Sequence, residues 1–217
     1  MPTAISPSMM CADITAIKET LSEFEKNGIE YLHIDIMDGS FVPNYALGTD
    51  YCRDMKKLTD IPLDIHLMVE NPEDKLQWFD FGEGDMVSVH IESTKNILNA
   101  LEYIRSKGAK AFVAISPGTP VSEIKDLAGK IDGVLVMTVN PGFAGQKMVP
   151  STLPKIGEVK SVFGESIPVE VDGNVSFENA VKMRNAGADI FVAGSSSVFK
   201  KGISPAEGIA ELRRCIK

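Results

Sequence analysis

His33-Ile-Asp35 sets an imidazole and a carboxylate two residues apart in a β-rich run, so in an extended strand both side chains point to one side. His66 lies near the end of the next such run, Pro62–Leu67, and Asp172 closes a later one that begins at Ile167. Two imidazoles and two carboxylates converging on one point suit a divalent ion of borderline softness: zinc, iron(II), manganese or cobalt. The carboxylates have a second use. Inverting a carbon centre needs one group to take a proton from one face and another to return a proton to the opposite face, and Asp35 and Asp172 come from distant strands. A metal would then stabilise the enediolate formed beside a ketone. The alternatives are carboxylates that serve only as ligands, or that pair with lysine or arginine.

These residues need elements to carry them. β-rich apolar runs occur near 3–8, 30–35, 62–67, 86–91, 110–115, 133–138, 167–171 and 190–193. Between them, helical patterns are expected near 12–27, 49–58, 72–81, 95–107, 120–129, 151–163, 176–186 and 204–216. Eight strand-helix alternations call for a parallel sheet. An open doubly wound sheet carries its glycine-rich phosphate loop after the first strand, whereas here that strand ends in Ser6-Pro7-Ser8. The glycine-rich loops follow the sixth, seventh and eighth strands instead, which matches a single (β/α)8 TIM barrel over 1–217 with its chemistry at the carboxyl ends of the strands. All three histidines of the chain, His33, His66 and His90, fall on that rim.

The loops Asn140–Gln146, Gly173-Asn174 and Gly194–Ser197 offer backbone amides to an anion, the last by opening a short helix. Met37, Met68 and Met137 stand at or just beyond strand ends, either as packing or as a dry cover over the metal. No strand ends in lysine, which excludes a Schiff-base aldolase, and only Cys11 is near the rim, which excludes a two-thiol racemase.

The 217 residues are 44 % hydrophobic and 24 % charged, ordinary globular usage, with a formal charge of -8. An acidic chain disfavours nucleic acid and anionic membrane as partners. No apolar run is long enough for a membrane span, and Met1-Pro-Thr-Ala-Ile lacks the pattern of a secretory signal. Cys11, Cys52 and Cys215 show neither disulfide nor zinc-finger spacing, so a reduced, cytoplasmic protein is expected.

With these residues in view, the sequence resembles the ribulose-phosphate 3-epimerase family. The matching stretches are SPSMMCAD at 6–13, HIDIMDGSFVPN at 33–44, DIHLMVENP at 64–72, VMTVNPGFAGQ at 136–146, VEVDGN at 169–174 and VAGSSSVF at 192–199. The resemblance implies a phosphate-binding barrel with His33, Asp35, His66 and Asp172 as metal ligands and Asp35 and Asp172 as the acid/base pair. It also implies that Ser8, with His66 beside it, contacts the substrate. Met37, Met68 and Met137 look like the family's methionine cap, and Gly142, Phe143, Ala144, Gly145, Gly173, Asn174, Gly194 and Ser195 like its phosphate grip. A homo-oligomer, dimer or hexamer, is implied as well. Ribulose-phosphate enzymes typically read Ser-Ala-Asp where this chain has Cys11-Ala12-Asp13, Gly-Gly where it has Ala144-Gly145, and often Gly where it has Asn174. These changes are more similar to the allulose-6-phosphate 3-epimerase branch, so the pentulose pair (ribulose and xylulose 5-phosphate) and the hexulose pair (allulose and fructose 6-phosphate) both stay open.

Two rival readings are a lyase or synthase on a related phosphate-binding barrel and a non-catalytic phosphosugar-binding protein. The first usually shows Asp-x-Lys-x-x-Asp where this chain reads Asp35-Ile-Met-Asp38; the second has no need of complete ligand and acid/base sets.

Overall fold

The computed structural model describes residues 3–217. Nine strands form one sheet: β1 (Ala4–Pro7), β2 (Leu32–Asp38), β3 (Tyr45–Ala46), β4 (Leu63–Met68), β5 (Met86–His90), β6 (Lys110–Ile115), β7 (Gly133–Met137), β8 (Val169–Asp172) and β9 (Ile190–Ala193). Among the described residues there are seven α-helices: α1 (Ile17–Lys26), α2 (Thr49–Leu58), α3 (Pro72–Lys75), α4 (Ile97–Ser106), α5 (Thr152–Phe163), α6 (Phe177–Asn185) and α7 (Pro205–Cys215). The strand order is β1-β9-β8-β7-β6-β5-β4-β2-β3, parallel throughout except for the two-residue β3, which pairs antiparallel with β2. The sheet is curled: β1 and β2, the outermost of its parallel strands, come back together at a parallel bridge between Ser8, just past β1, and His33. No helix among the described residues is long and apolar enough to cross a membrane.

Strand periodicity sorts the side chains into two faces. Ile34, Ile36, Ile65, Leu67, Val87, Val89, Val134, Val136, Val169 and Val171 join Leu21, Phe24, Leu101, Ile104, Ile156 and Leu212 of the helices in the principal core. Burying each such side chain contributes roughly 1.5–3 kcal/mol. The alternate residues form a second, inner set. At the amino ends of the strands Ala4, Met86, Phe112 and Ile190 make an apolar plug. Gly133 leaves room for it, since a Cβ there would lie 2.3 Å from the Phe112 ring. With that end filled, the inner face opens only at the carboxyl ends.

Two local expectations need correction. Residues 120–129 form no α-helix but two short 3-10 turns, Val121–Glu123 and Lys125–Leu127. The buried residues Val121, Ile124 and Leu127 recur every third position, the period of a 3-10 rather than an α-helix. The expected helix at 72–81 likewise narrows to α3 and one 3-10 turn, Leu76–Trp78. Side-chain caps open two of the helices: Ser176 caps α6 through Asn179 N–H, and Ser204 with Glu207 forms a capping box on α7.

Candidate active site

Register builds the site in two stacked layers on the inner face. Pairing of β2 with β4 sets His33 beside Asp64, Asp35 beside His66 and Met37 beside Met68. On the opposite side, β8 supplies Glu170 to the lower layer and Asp172 to the upper, with Met137 of β7 beside Asp172. The carbonyl of Asp172 accepts from the backbone N–H and the hydroxyl of Thr138, at 2.7 and 3.0 Å, which pins the end of β8. The chain then turns at Gly173 (φ +113°), where a Cβ would lie 2.6 Å from Val139.

One ligand atom from each of His33, Asp35, His66 and Asp172 lies within 4.8 Å of all the others. His33 Nε2 is 3.3 Å from Asp35 Oδ1 and 3.9 Å from Asp172 Oδ2. His66 Nδ1 is 3.5 Å and 3.8 Å from the same two oxygens. These separations are those of donor atoms about 2.0–2.2 Å from a common centre. Both nitrogens are fully buried and neither has a hydrogen-bond partner. Two orphaned imidazole nitrogens facing two carboxylates fit a divalent cation.

The outer nitrogens are engaged. His33 Nδ1 donates to Asp64 Oδ2 at 2.6 Å, and Ser6 Oγ donates to the same oxygen at 2.8 Å. His66 Nε2 lies 2.9 Å from His90 Nε2, and His90 Nδ1 lies 3.0 Å from Glu92 Oε2. Asp35 keeps Oδ1 toward the imidazoles while Oδ2 accepts from Ser8 Oγ at 2.8 Å. His33, Asp64 and Glu170 also lie close enough to form a second acidic group. There the 2.6 Å contact is a hydrogen bond, shorter than two ligands of one ion ordinarily approach.

Charges in this floor work against one another. Burial opposes the charge of Asp35, but His33 and His66 hold its carboxyl well below the usual range. Asp172 moves the other way: burial and the Asp35 charge push it up to about 7. Burial, reinforced by the Asp64 charge, also raises Glu170 well above an ordinary carboxyl. Burial opposes a charge on His33, yet Asp64 and Asp35 raise it well above a free imidazole. His66 and His90 are lowered, chiefly by burial.

A cavity opens above the floor. Its lining includes Ser8, Asp35, Met37, Met68, Met137, Gly142, Phe143, Ala144, Gly145, Asp172, Gly173, Asn174, Gly194 and Ser195. The residues named from sequence thus meet at one opening, except His33 and His66, which are fully buried and do not line it. No lysine or arginine lines the cavity among the described residues. The expected short helix after β9 is absent: 195–199 is a run of turns in which Gly194 O takes the N–H of both Ser197 and Phe199, and α7 starts only at Pro205. Sequence reasoning gave no role to Asp64, Glu170, His90 and Glu92. Asp64-Ile-His66 and Glu170-Val-Asp172 repeat the two-residue spacing of His33-Ile-Asp35, and that signal was available.

A family model described as the ribulose-phosphate 3 epimerase family matches residues 4–199. The ribulose-phosphate 3-epimerase of Bacillus subtilis (strain 168) is 41 % identical over 212 residues, covering 94 % of this chain and 98 % of that protein. The ribulose-5-phosphate-3-epimerase, chloroplastic, of Arabidopsis thaliana is 39 % identical over 216 residues, 97 % of this chain and 77 % of the other. Among solved structures, a 3-hexulose-6-phosphate synthase superposes with a TM-score of 0.71 at 15 % identity, covering 99 % of this chain and 100 % of that one, a likeness of fold alone.

Proposed function

Because this chain belongs to the ribulose-phosphate 3-epimerase family and is a ketose-phosphate 3-epimerase, we propose that Asp35 and Asp172 are its acid/base pair and that its substrate is a pentulose 5-phosphate. The observation that carries the reading is the convergence of two carboxylates and two orphaned imidazole nitrogens on the floor of one cavity. One carboxylate removes the C3 proton and the other delivers a proton to the opposite face; in the reverse direction the roles exchange. His33, Asp35, His66 and Asp172 would hold the divalent ion (zinc, iron(II), manganese or cobalt), which when bound supplies Lewis-acid stabilisation of the enediolate. Ser8 orients Asp35 through its 2.8 Å hydrogen bond and contacts the sugar from the cavity wall. Met37, Met68 and Met137 cover the floor with apolar surface and exclude water from the intermediate.

The phosphate sits against the loops after β7, β8 and β9. With no basic side chain in the wall, backbone dipoles at Gly142–Gly145, Gly173-Asn174 and Gly194-Ser195 hold it. The curled sheet is read as a closed (β/α)8 barrel forming one catalytic domain over 1–217, a reading supported by the Ser8–His33 bridge between its far strands. Three free thiols support a reduced, cytoplasmic location. Exposed Ile14 and Tyr45 support a homo-oligomer, dimer or hexamer, which light scattering checks.

The relatives named as ribulose-phosphate 3-epimerases favour the five-carbon substrate. A side-by-side rate measurement on ribulose 5-phosphate and allulose 6-phosphate decides it. A larger kcat/KM on the hexulose would transfer the assignment to the six-carbon branch.

A further inference from the structure

We propose that Glu92 and His90 are positioning residues that keep His66 Nδ1 free of a hydrogen and aimed into the metal site. The proposal rests on the reading of His66 as a metal ligand and extends it to the side chains behind it.

Proton placement starts at Glu92. Its Oε1 accepts the backbone N–H of Ser116 at 2.8 Å and the hydroxyl of Thr119, while Oε2 faces His90 Nδ1 at 3.0 Å. A carboxylate that takes donors on one oxygen accepts on the other, so His90 Nδ1 carries the hydrogen. A neutral imidazole has a single N–H, which leaves His90 Nε2 an acceptor. That nitrogen is 2.9 Å from His66 Nε2, so His66 must donate there. Its Nδ1 is then bare. This is the same nitrogen that lacks a hydrogen-bond partner and faces Asp35 Oδ1 at 3.5 Å and Asp172 Oδ2 at 3.8 Å.

The relay is shielded and anchored. Both imidazoles are fully buried, and the Phe41 ring lies 4.8 Å from that of His90, so water does not replace either partner. Lys155 Nζ donates to the carbonyls of Ser116, Pro117 and Thr119, holding the loop that grips Glu92. His33 is oriented by a carboxylate in direct contact, whereas His66 depends on an intervening imidazole that can be reversed. That difference makes the relay testable.

Glu92→Gln is the discriminating variant. Ser116 N–H can only donate, so the glutamine must turn its carbonyl to Ser116 and its NH2 to His90 Nδ1. The sense of the relay then inverts, and the hydrogen of His66 moves to Nδ1, where it blocks the metal. The experiment uses the full chain stripped with chelator at about pH 8. Long-range 1H–15N NMR identifies the protonated nitrogen of His66, and calorimetry with Co2+ alone gives the affinity. Expected are an Nε2–H His66 in the wild type, an Nδ1–H His66 in Glu92→Gln, and Co2+ binding weakened about 10- to 100-fold in the variant. An Nδ1–H His66 in the wild type, or unchanged Co2+ affinity in a folded Glu92→Gln protein, would overturn the proposal. Should the variant not fold, the wild-type tautomer decides. Wild-type protein that takes up no Co2+ would overturn the metal reading itself, and the metal-free NMR result would still decide the sense of the relay.

Discussion

Ser8 Oγ donates to Asp35 Oδ2 at 2.8 Å across the seam where β1 and β2 meet. One short bond thus joins the far strands of the sheet to the orientation of a proposed catalytic carboxylate. With Oδ2 taken by Ser8, Oδ1 is the oxygen turned to His33 and His66. The bond that spans the meeting of β1 and β2 therefore also fixes which oxygen of Asp35 faces the imidazoles.

Ser8→Ala removes that bond and leaves the carboxylate free to rotate. A hydrogen bond to a charged group contributes about 1.5–3 kcal/mol, so kcat/KM should fall roughly 10- to 150-fold. Circular dichroism should show the fold intact. Unchanged kcat/KM would mean that Ser8 does not orient Asp35.

Asp172→Asn keeps the shape of the side chain and removes its capacity to exchange a proton. Epimerisation should fall by about 10²–10⁴, the usual contribution of a general acid or base. Proton NMR in D2O should show that solvent deuterium no longer enters C3 from the Asp172 side. Metal content measured on the same sample separates loss of the base from loss of a ligand. Retained epimerisation would end the two-base scheme.

Much of this site was legible because strand periodicity is strict: once His33 and Asp35 share a face, the register of β2 on β4 delivers His66 to the same layer. The lower layer was harder to read. Asp64 and Glu170 stand two residues before His66 and Asp172 and so share their face, but what they do there follows only from their distances to His33. The 120–129 segment departs for another reason: Val121, Ile124 and Leu127 recur at i, i+3, a spacing shared by an amphipathic α-helix and by the three-residue turn of a 3-10 path. His90 stands on the rim in the sequence, but its place between His66 and Glu92 follows only from the distances.

Asn174 adopts a left-handed backbone (φ +48°) and latches three segments together. Its Oδ1 accepts from Met148 N–H and Asn179 Nδ2, and its Nδ2 donates to Ser196 Oγ. Asn174→Gly suits the backbone and cuts the latch, so KM and the inhibition constant of inorganic phosphate should rise together, about 5- to 10-fold for one neutral hydrogen bond's worth of alignment. The kcat should change little. A fall in kcat with KM unchanged would place Asn174 with the chemistry instead.

Asp38 ends β2 and accepts from Lys75 Nζ at 2.7 Å and from the backbone N–H groups of Ser40, Phe41 and Glu70. Burial works against its charge, but Lys75 and these amides hold it down to about 2. A carboxyl lower in the folded than in the unfolded chain stabilises the fold above its unfolded value near 4 and loses that contribution as pH falls toward 2. With solvent screening allowed for, the contribution is about 1–2 kcal/mol. Urea unfolding should therefore show wild-type stability declining more steeply than Asp38→Asn between about pH 5 and 2. Parallel pH profiles would show that Asp38 makes no such contribution.

Removal of the ion tests the centre of the site. Without a cation, two carboxylates and two imidazole nitrogens that lack hydrogen-bond partners share a buried volume, and burial and the Asp35 charge, which raise Asp172 to about 7, act against its ionisation. Any ion that binds the folded chain and not the unfolded one adds about 2.7 kcal/mol when present at 100 times its Kd. For a chain of this size that corresponds to roughly 5–10 °C in Tm. Chelator-treated protein should therefore lose activity and melt at lower temperature, and zinc, iron(II), manganese or cobalt should restore both. The two readouts belong together, since an ion needed only for catalysis at the surface of the cavity would leave Tm in place. If exhaustive chelation changes neither the rate nor Tm, the four residues do not hold a metal, and His33 and His66 must be explained as buried partners of Asp35 alone.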